Sequence, residues 1–316
     1  MYLLDKVIKV DEKRVKDRCF IVEEGRVRYA TTTFKQWNKK RVSMNGTVLC
    51  SGRVYFDDSL LYEGGDDILY ERQKQLIKDG CTTVAIAPHV KYESELANVY
   101  HNWNAYLKKS TIDYVIGLTI PAYLIRMSFI RKCQNMLIPY LKVELTTEED
   151  IHSIKWTHIS HTLLHYPLAI IPVFQASTKR AKSLEVIWRK YCLDYGIHTD
   201  LDSQYSNRIN KSLLQKIGLF PQKGTLIAGS DLDYIAYVDR KRKKRYEERK
   251  RTARDIEHYK HEEPDLVVLR GRILKVLNEI DLKPGFGQPI QIIRPGRFLS
   301  MNDLMEQENH VYRSSY

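Results

Sequence analysis

Residues 217–238 read IGLFPQKGTLIAGSDLDYIAYV. A Gly- and Pro-punctuated opening leads through the turn Gly229-Ser230-Asp231 into an apolar, β-rich run, YIAYV. Two further strand-like pieces follow, PDLVVLRGRILKVL (264–277) and GQPIQIIRPG (287–296). Upstream the grammar differs. TVLCSGRVYF (47–56) is a continuous apolar run, the pattern of a strand covered on both faces. Helical and strand patterns then alternate. Helices are expected in 66–80, 93–110, 128–136, 147–166 and 181–196, and strands in 81–88, 111–120, 137–145 and 167–175. Such alternation means βαβ units and a parallel sheet, either a barrel or a doubly wound sheet. At the start of the chain, LLDKVIKV, CFIVEEG and RVRYAT read as short strands, with a tight turn at Glu24-Gly25. The expected class is therefore α/β, with the two β-rich chain ends pairing into one small β subdomain.

Composition agrees with a folded soluble chain: 316 residues, 43% hydrophobic and 28% charged. No apolar run long enough to span a membrane is present, and the N-terminus lacks the apolar core of a secretory signal. Cys19, Cys50, Cys81, Cys133 and Cys192 include no CxxC pair, which predicts reduced thiols and a cytoplasmic protein. Net charge is +12, and 240–254 (RKRKKRYEERKRTAR) carries ten Lys/Arg against two Glu, or +8. This run predicts a charged helical insertion over 239–263. Its residues Arg240, Lys241, Arg242, Lys243, Lys244, Arg245, Arg249, Lys250 and Arg251 are candidates for an anionic partner, nucleic acid included.

The 217–238 stretch resembles the GLYP-KG-I-GSDADLV segment of the cyclic amidohydrolases: dihydropyrimidinase, hydantoinase, allantoinase and dihydroorotase. LRGRILKVLNEIDLKPGFGQPI (269–290) is similar to that family's closing hairpin, and GTVLCSG (46–52) with KDGCTTVAIAP (78–88) to its first two barrel strands. The resemblance implies a TIM-barrel-like core at 48–216. It also implies a β subdomain from 1–47 and 217–298, and leaves 299–316 as a tail. It implies two divalent metals that activate a bridging water and polarise an amide carbonyl. The ligands would be a His-x-His after the first strand, a carboxylated lysine on the fourth, histidines on the fifth and sixth, and a late aspartate.

Carried over position by position, His-x-His falls on Phe56-Asp57-Asp58, the lysine on Lys142, the fifth-strand histidine on or near Phe174, and the aspartate on Asp200. Only about forty residues separate the fifth strand from 217, too few for three full βα units. The expectation is a truncated or rebuilt barrel that has lost dinuclear hydrolysis and acts as a binding or scaffolding protein. Homo-oligomers or a protein partner would then carry its role. The alternative is a divergent hydrolase of amide or cyclic-imide bonds. It would use zinc or manganese on Asp57, Asp58, Lys142, His89, His165 or His198, with Asp58, Lys142 and Asp200 as catalytic candidates. His158, His161 and His165 share a helix face at metal-like spacing, but position 162 is Thr where a metalloprotease helix has Glu. Cys50 and Cys81 lie in apolar strands, where a thiol is inert packing.

Overall fold

The computed structural model describes residues 1–11, 15–61, 65–164, 166–202, 206–238, 259, 262–290 and 292. The insertion 240–254, His165 and the tail lie outside the described residues.

One nine-stranded sheet draws on both ends of the chain. Its strands are β1 (Tyr2–Val10), β2 (Val15–Glu23), β3 (Arg26–Thr31), β4 (Arg41–Ser43), β5 (Thr47–Ser51) and, much later, β12 (Tyr234–Val238), β13 (Leu266–Leu269), β14 (Arg272–Val276) and β15 (Glu279–Ile280). The order is β15-β14-β13-β12-β5-β1-β2-β3, with β4 beside β1. Glu24 and Gly25 both take positive φ (50° and 74°), giving the two-residue turn that joins β2 to β3.

The parallel strands are β6 (Arg53–Phe56), β7 (Cys81–Ile86), β8 (Asp113–Ile116), β9 (Leu118–Pro121), β10 (Tyr140–Leu145) and β11 (Ala169–Phe174). They form two three-stranded sheets, β6-β7-β8 and β9-β10-β11. Backbone bonds at the join (Val90 N to Thr119 O and Thr119 N to Pro88 O, both 2.9 Å) make them one run in sequential order. No closed barrel forms among the described residues. The segment after β11 and its helix meets both edges: Ile170 N donates to His198 O (2.8 Å), while Phe56 N donates to Asn207 O (2.7 Å) and Ile209 N to Val54 O (2.8 Å).

Two glycines divide runs that the hydrophobic pattern reads as single strands. At Gly52 the run 47–56 leaves the nine-stranded sheet for the parallel one, and a Cβ there would lie 2.3 Å from Thr82 Oγ1. At Gly117 the run 111–120 splits into β8 and β9. A Cβ would lie 2.4 Å from the Tyr140 ring, whose hydroxyl donates to Ile86 O at 2.7 Å. Hydropathy has no term for such close approach.

The helices are α1 (Gly65–Lys78), α2 (Leu96–Leu107), α3 (Met127–Asn135), α4 (Glu148–His152), α5 (Trp156–Leu163), α6 (Thr178–Asp194) and α7 (Lys211–Lys216). The helix expected over 147–166 is two, broken at Ser153–Lys155, with the Trp156 indole donating back to Ile151 O at 2.9 Å. Residues 287–290 form no strand, only a bridge from Pro289 to Tyr114. The helices α1 to α6 cover one face of the parallel run, with Phe129, Ile159 and Trp188 against Leu141 and Val143, and Leu69 and Ile77 against Val84 and Ile86. On the opposite face Phe56, Ala85, Val115, Tyr140 and Ile171 pack under Leu213 and Leu214 of α7 and under Ile217, Leu219 and Ile290. α7 was not foreseen; Asn210 caps it by accepting from Leu213 N at 2.8 Å. No helix among the described residues is long and apolar enough to cross a membrane.

Gly117→Ala is expected to destabilise the fold by about 1–3 kcal/mol through overpacking against Tyr140. Denaturant unfolding of Gly117→Ala, Tyr140→Leu and the double variant checks this: the double variant should lose less than the sum of the singles.

Candidate functional site

In parallel α/β runs, chemistry gathers at the carboxyl ends of the strands. Alternation along β10 places Tyr140, Lys142 and Glu144 on the face opposite the helices, because Leu141, Val143 and Leu145 pack into the helical side. Lys142 Nζ forms an ion pair with Asp58 Oδ2, and Asp58 Oδ1 accepts from Ala87 N at 2.8 Å. The ammonium stands 4.6 Å from the centre of the Phe56 ring, which meets Tyr140 edge-on at 5.3 Å.

Asp57 turns elsewhere. Its carboxylate accepts from Ser59 N (3.0 Å) and Ser59 Oγ (2.5 Å) and binds Arg72 of α1 at 2.7 Å. Glu144 accepts from Gln175 Nε2 at 2.6 Å, with His89 Nδ1 at 3.7 Å. Lys142 thus pairs with Asp58 across the strand ends, not with Glu144 on its own strand.

Phe174 packs on the helical side, so parity gives the place near the mouth at the end of β11 to Gln175. His198 lies beside the start of β11, and no further parallel strand follows it among the described residues. Asp200 is buried, while His158 and His161 are exposed on α5 in the helical layer. Cys50 and Cys81 are strand thiols whose pKa burial raises, that of Cys50 to about 12.

The strand ends do not fit a pair of zinc or manganese ions. Zinc favours imidazole and thiolate, yet among the described residues the mouth offers one exposed imidazole, His89, and two carboxylates already engaged, Asp58 with an ammonium and a backbone N–H and Glu144 with Gln175. A carbamate on Lys142 would face Asp58 as like charge. Among the described residues the three-carboxylate group with metal-compatible spacing lies elsewhere: Asp113, Asp231 and Asp233, with ligand atoms within 4.8 Å of one another.

That group already holds a cation. Lys223 Nζ reaches Asp113 (2.5 Å), Asp233 (2.7 Å) and Asp231 (2.9 Å), all fully or almost fully buried. Arg270 pairs with Asp113 and donates its backbone N–H to Asp233 at 2.8 Å. Burial opposes the Lys223 ammonium, but the three carboxylates outweigh it and raise its pKa. Burial lifts Asp233 to about 6 against the pull of Lys223. The turn reading of Gly229–Asp231 missed this cluster, although Lys223, Asp231 and Asp233 all belong to 217–238.

The fold resembles solved structures at low sequence identity. A dihydropyrimidinase from Brevibacillus agri NCHU1002 matches with TM-score 0.56 at 11% identity, over 93% of this chain and 100% of that one. A D-hydantoinase from a Bacillus sp. AR9 matches with TM-score 0.56 at 12% identity, over 93% and 99%. An L-hydantoinase (dihydropyrimidinase) from Arthrobacter aurescens gives 0.53 at 11% identity, over 92% and 99%. The fold is thus similar to that of these dihydropyrimidinase and hydantoinase structures. No protein-family model matches the chain, and no curated protein matches its sequence.

Lys223→Met leaves three buried carboxylates without their ammonium and should cost about 3–5 kcal/mol near neutrality. Asp233, which burial lifts to about 6 even with Lys223 beside it, loses the charge that pulls it down. The stability its carboxyl contributes is present below the unfolded value, near pH 4, and is lost as pH rises through the folded one. Denaturant unfolding should therefore show a smaller deficit at pH 5 than at pH 7.5.

Proposed function

We propose that this chain is a rebuilt amidohydrolase-fold protein whose strand-end mouth binds a ligand without dinuclear metal hydrolysis. The parallel run would be the retained part of a barrel, and the nine-stranded sheet the β unit that accompanies it. The observation that carries this reading is the Asp58–Lys142 ion pair, set where the resemblance places a metal-binding histidine and a carboxylated lysine. An ammonium held by a carboxylate and an aromatic ring supplies one positive charge at a fixed point. It has no open coordination site to activate water. Lys142 would orient an acceptor on the ligand, and Glu144 with Gln175 would receive or supply hydrogen bonds beside it.

A second reading rests on His89 and Glu144 at 3.7 Å. In a divergent hydrolase of amide or cyclic-imide bonds, His89 would act as the general base, with Glu144 orienting its ring and Lys142 stabilising charge on the carbonyl oxygen.

Metal analysis of protein purified without chelator separates these readings from the two-metal chemistry: zinc and manganese should both be well below one per chain. Near-stoichiometric metal that Lys142→Ala abolishes would overturn the binding reading. Hydrolysis of hydantoin or dihydrouracil that falls about 100-fold or more in His89→Ala would favour the second.

A further inference from the structure

A cavity of about 430 Å3 opens beside Asp113, the first residue of β8, and so at the end of that strand away from Lys142. Its wall combines the β2–β3 turn (Arg26), Gln222, the β13–β14 turn (Arg270, Arg272) and the 286–290 segment (Phe286, Gln288). The volume falls in the range of small-molecule sites. The ion cluster around Lys223 forms part of the wall and holds it in place before any ligand arrives.

Donors and acceptors on this wall are unequally committed. Asp113 accepts from Arg270 and from Gln288 N (2.9 Å) through one oxygen and from Lys223 through the other. Asp231 is met by Lys223 (2.9 Å), Gln222 (3.1 Å) and Arg26 (3.3 Å). Every oxygen of both carboxylates is already engaged. The guanidinium of Arg272, by contrast, has no carboxylate partner among the described residues and stands 5.3 Å from the centre of the Phe286 ring. Arg26 meets Asp231 through Nε at 3.3 Å, and its side chain is 60% exposed on the cavity wall. The unspent capacity is cationic and donating.

We propose that this cavity is a binding site for a small organic oxyanion, clasped between Arg26 and Arg272. Guanidinium forks recognise carboxylate and phosphate oxygens alike, so both are ligand sources of the same chemistry. A bare phosphate would leave most of the space empty, and an organic body fills it. Glu24, exposed on the rim, opposes anions and sets a preference for low total charge.

Calorimetric titration of the full chain with succinate and with glycerol 3-phosphate, at fixed ionic strength, tests the site. One of the two should bind saturably, and which one does identifies the source. Arg272→Gln should weaken that binding roughly tenfold or more, and Glu24→Gln should tighten it. Arg272 is exposed, so an unchanged thermal midpoint in Arg272→Gln shows that the loss is local. If neither probe binds saturably, or Arg272→Gln retains full affinity, the proposal fails. Both readings of the Lys142 mouth stand or fall separately.

Discussion

A single buried ammonium organises this molecule. Lys223 ties Asp113 to Asp231 and Asp233, all three shielded from water, and Arg270 joins the cluster through Asp113 and Asp233. Asp113 belongs to the parallel run, Asp231 and Asp233 to the entry into the nine-stranded sheet, and Arg270 to the turn between β13 and β14. Buried charges of this kind cost desolvation on every partner and are recovered only when the geometry is satisfied throughout. The cluster thus specifies one arrangement of the two sheets more than it adds net stability. Gly52 supports the same junction, since its N–H donates to Asp233 O at 2.8 Å where the chain changes sheets.

The second ammonium, Lys142, shows how context changes the role of one residue type. It faces one carboxylate instead of three, and keeps access to solvent at the strand ends. Lys223 is sealed and structural, whereas Lys142 is presented. The contrast follows from what covers each: Lys223 lies between sheets, while Lys142 stands just beyond the apolar layer that α7 presses onto Phe56, Ala85 and Tyr140.

Much of this was legible in the sequence. Helices α1, α2, α3 and α6 and strands β7, β10 and β11 follow from hydrophobic period, and the Glu24-Gly25 turn from its residue types. The places where pattern failed share a cause. Gly52 and Gly117 interrupt apolar runs because a distant side chain occupies the space of a Cβ, and no local signal reports that. α7 is too short for its period to register. The Lys223 cluster was written in plain sight within 217–238, but its meaning depends on Asp113, more than a hundred residues away. The exchange of Phe174 for Gln175 near the mouth is a matter of parity, set by pairing Lys142 with Ile171 across two strands.

The stretch after α6 carries a further consequence. Parallel strands in sequential order leave two bare edges unless the run closes on itself, and bare edges invite strand addition from other molecules. Here one short length of chain meets both: it accepts from Ile170 at one edge and pairs with Val54 and Phe56 at the other. A span too short to build further strand–helix units thus occupies both edges at once, and shields them from edge-to-edge pairing with other molecules.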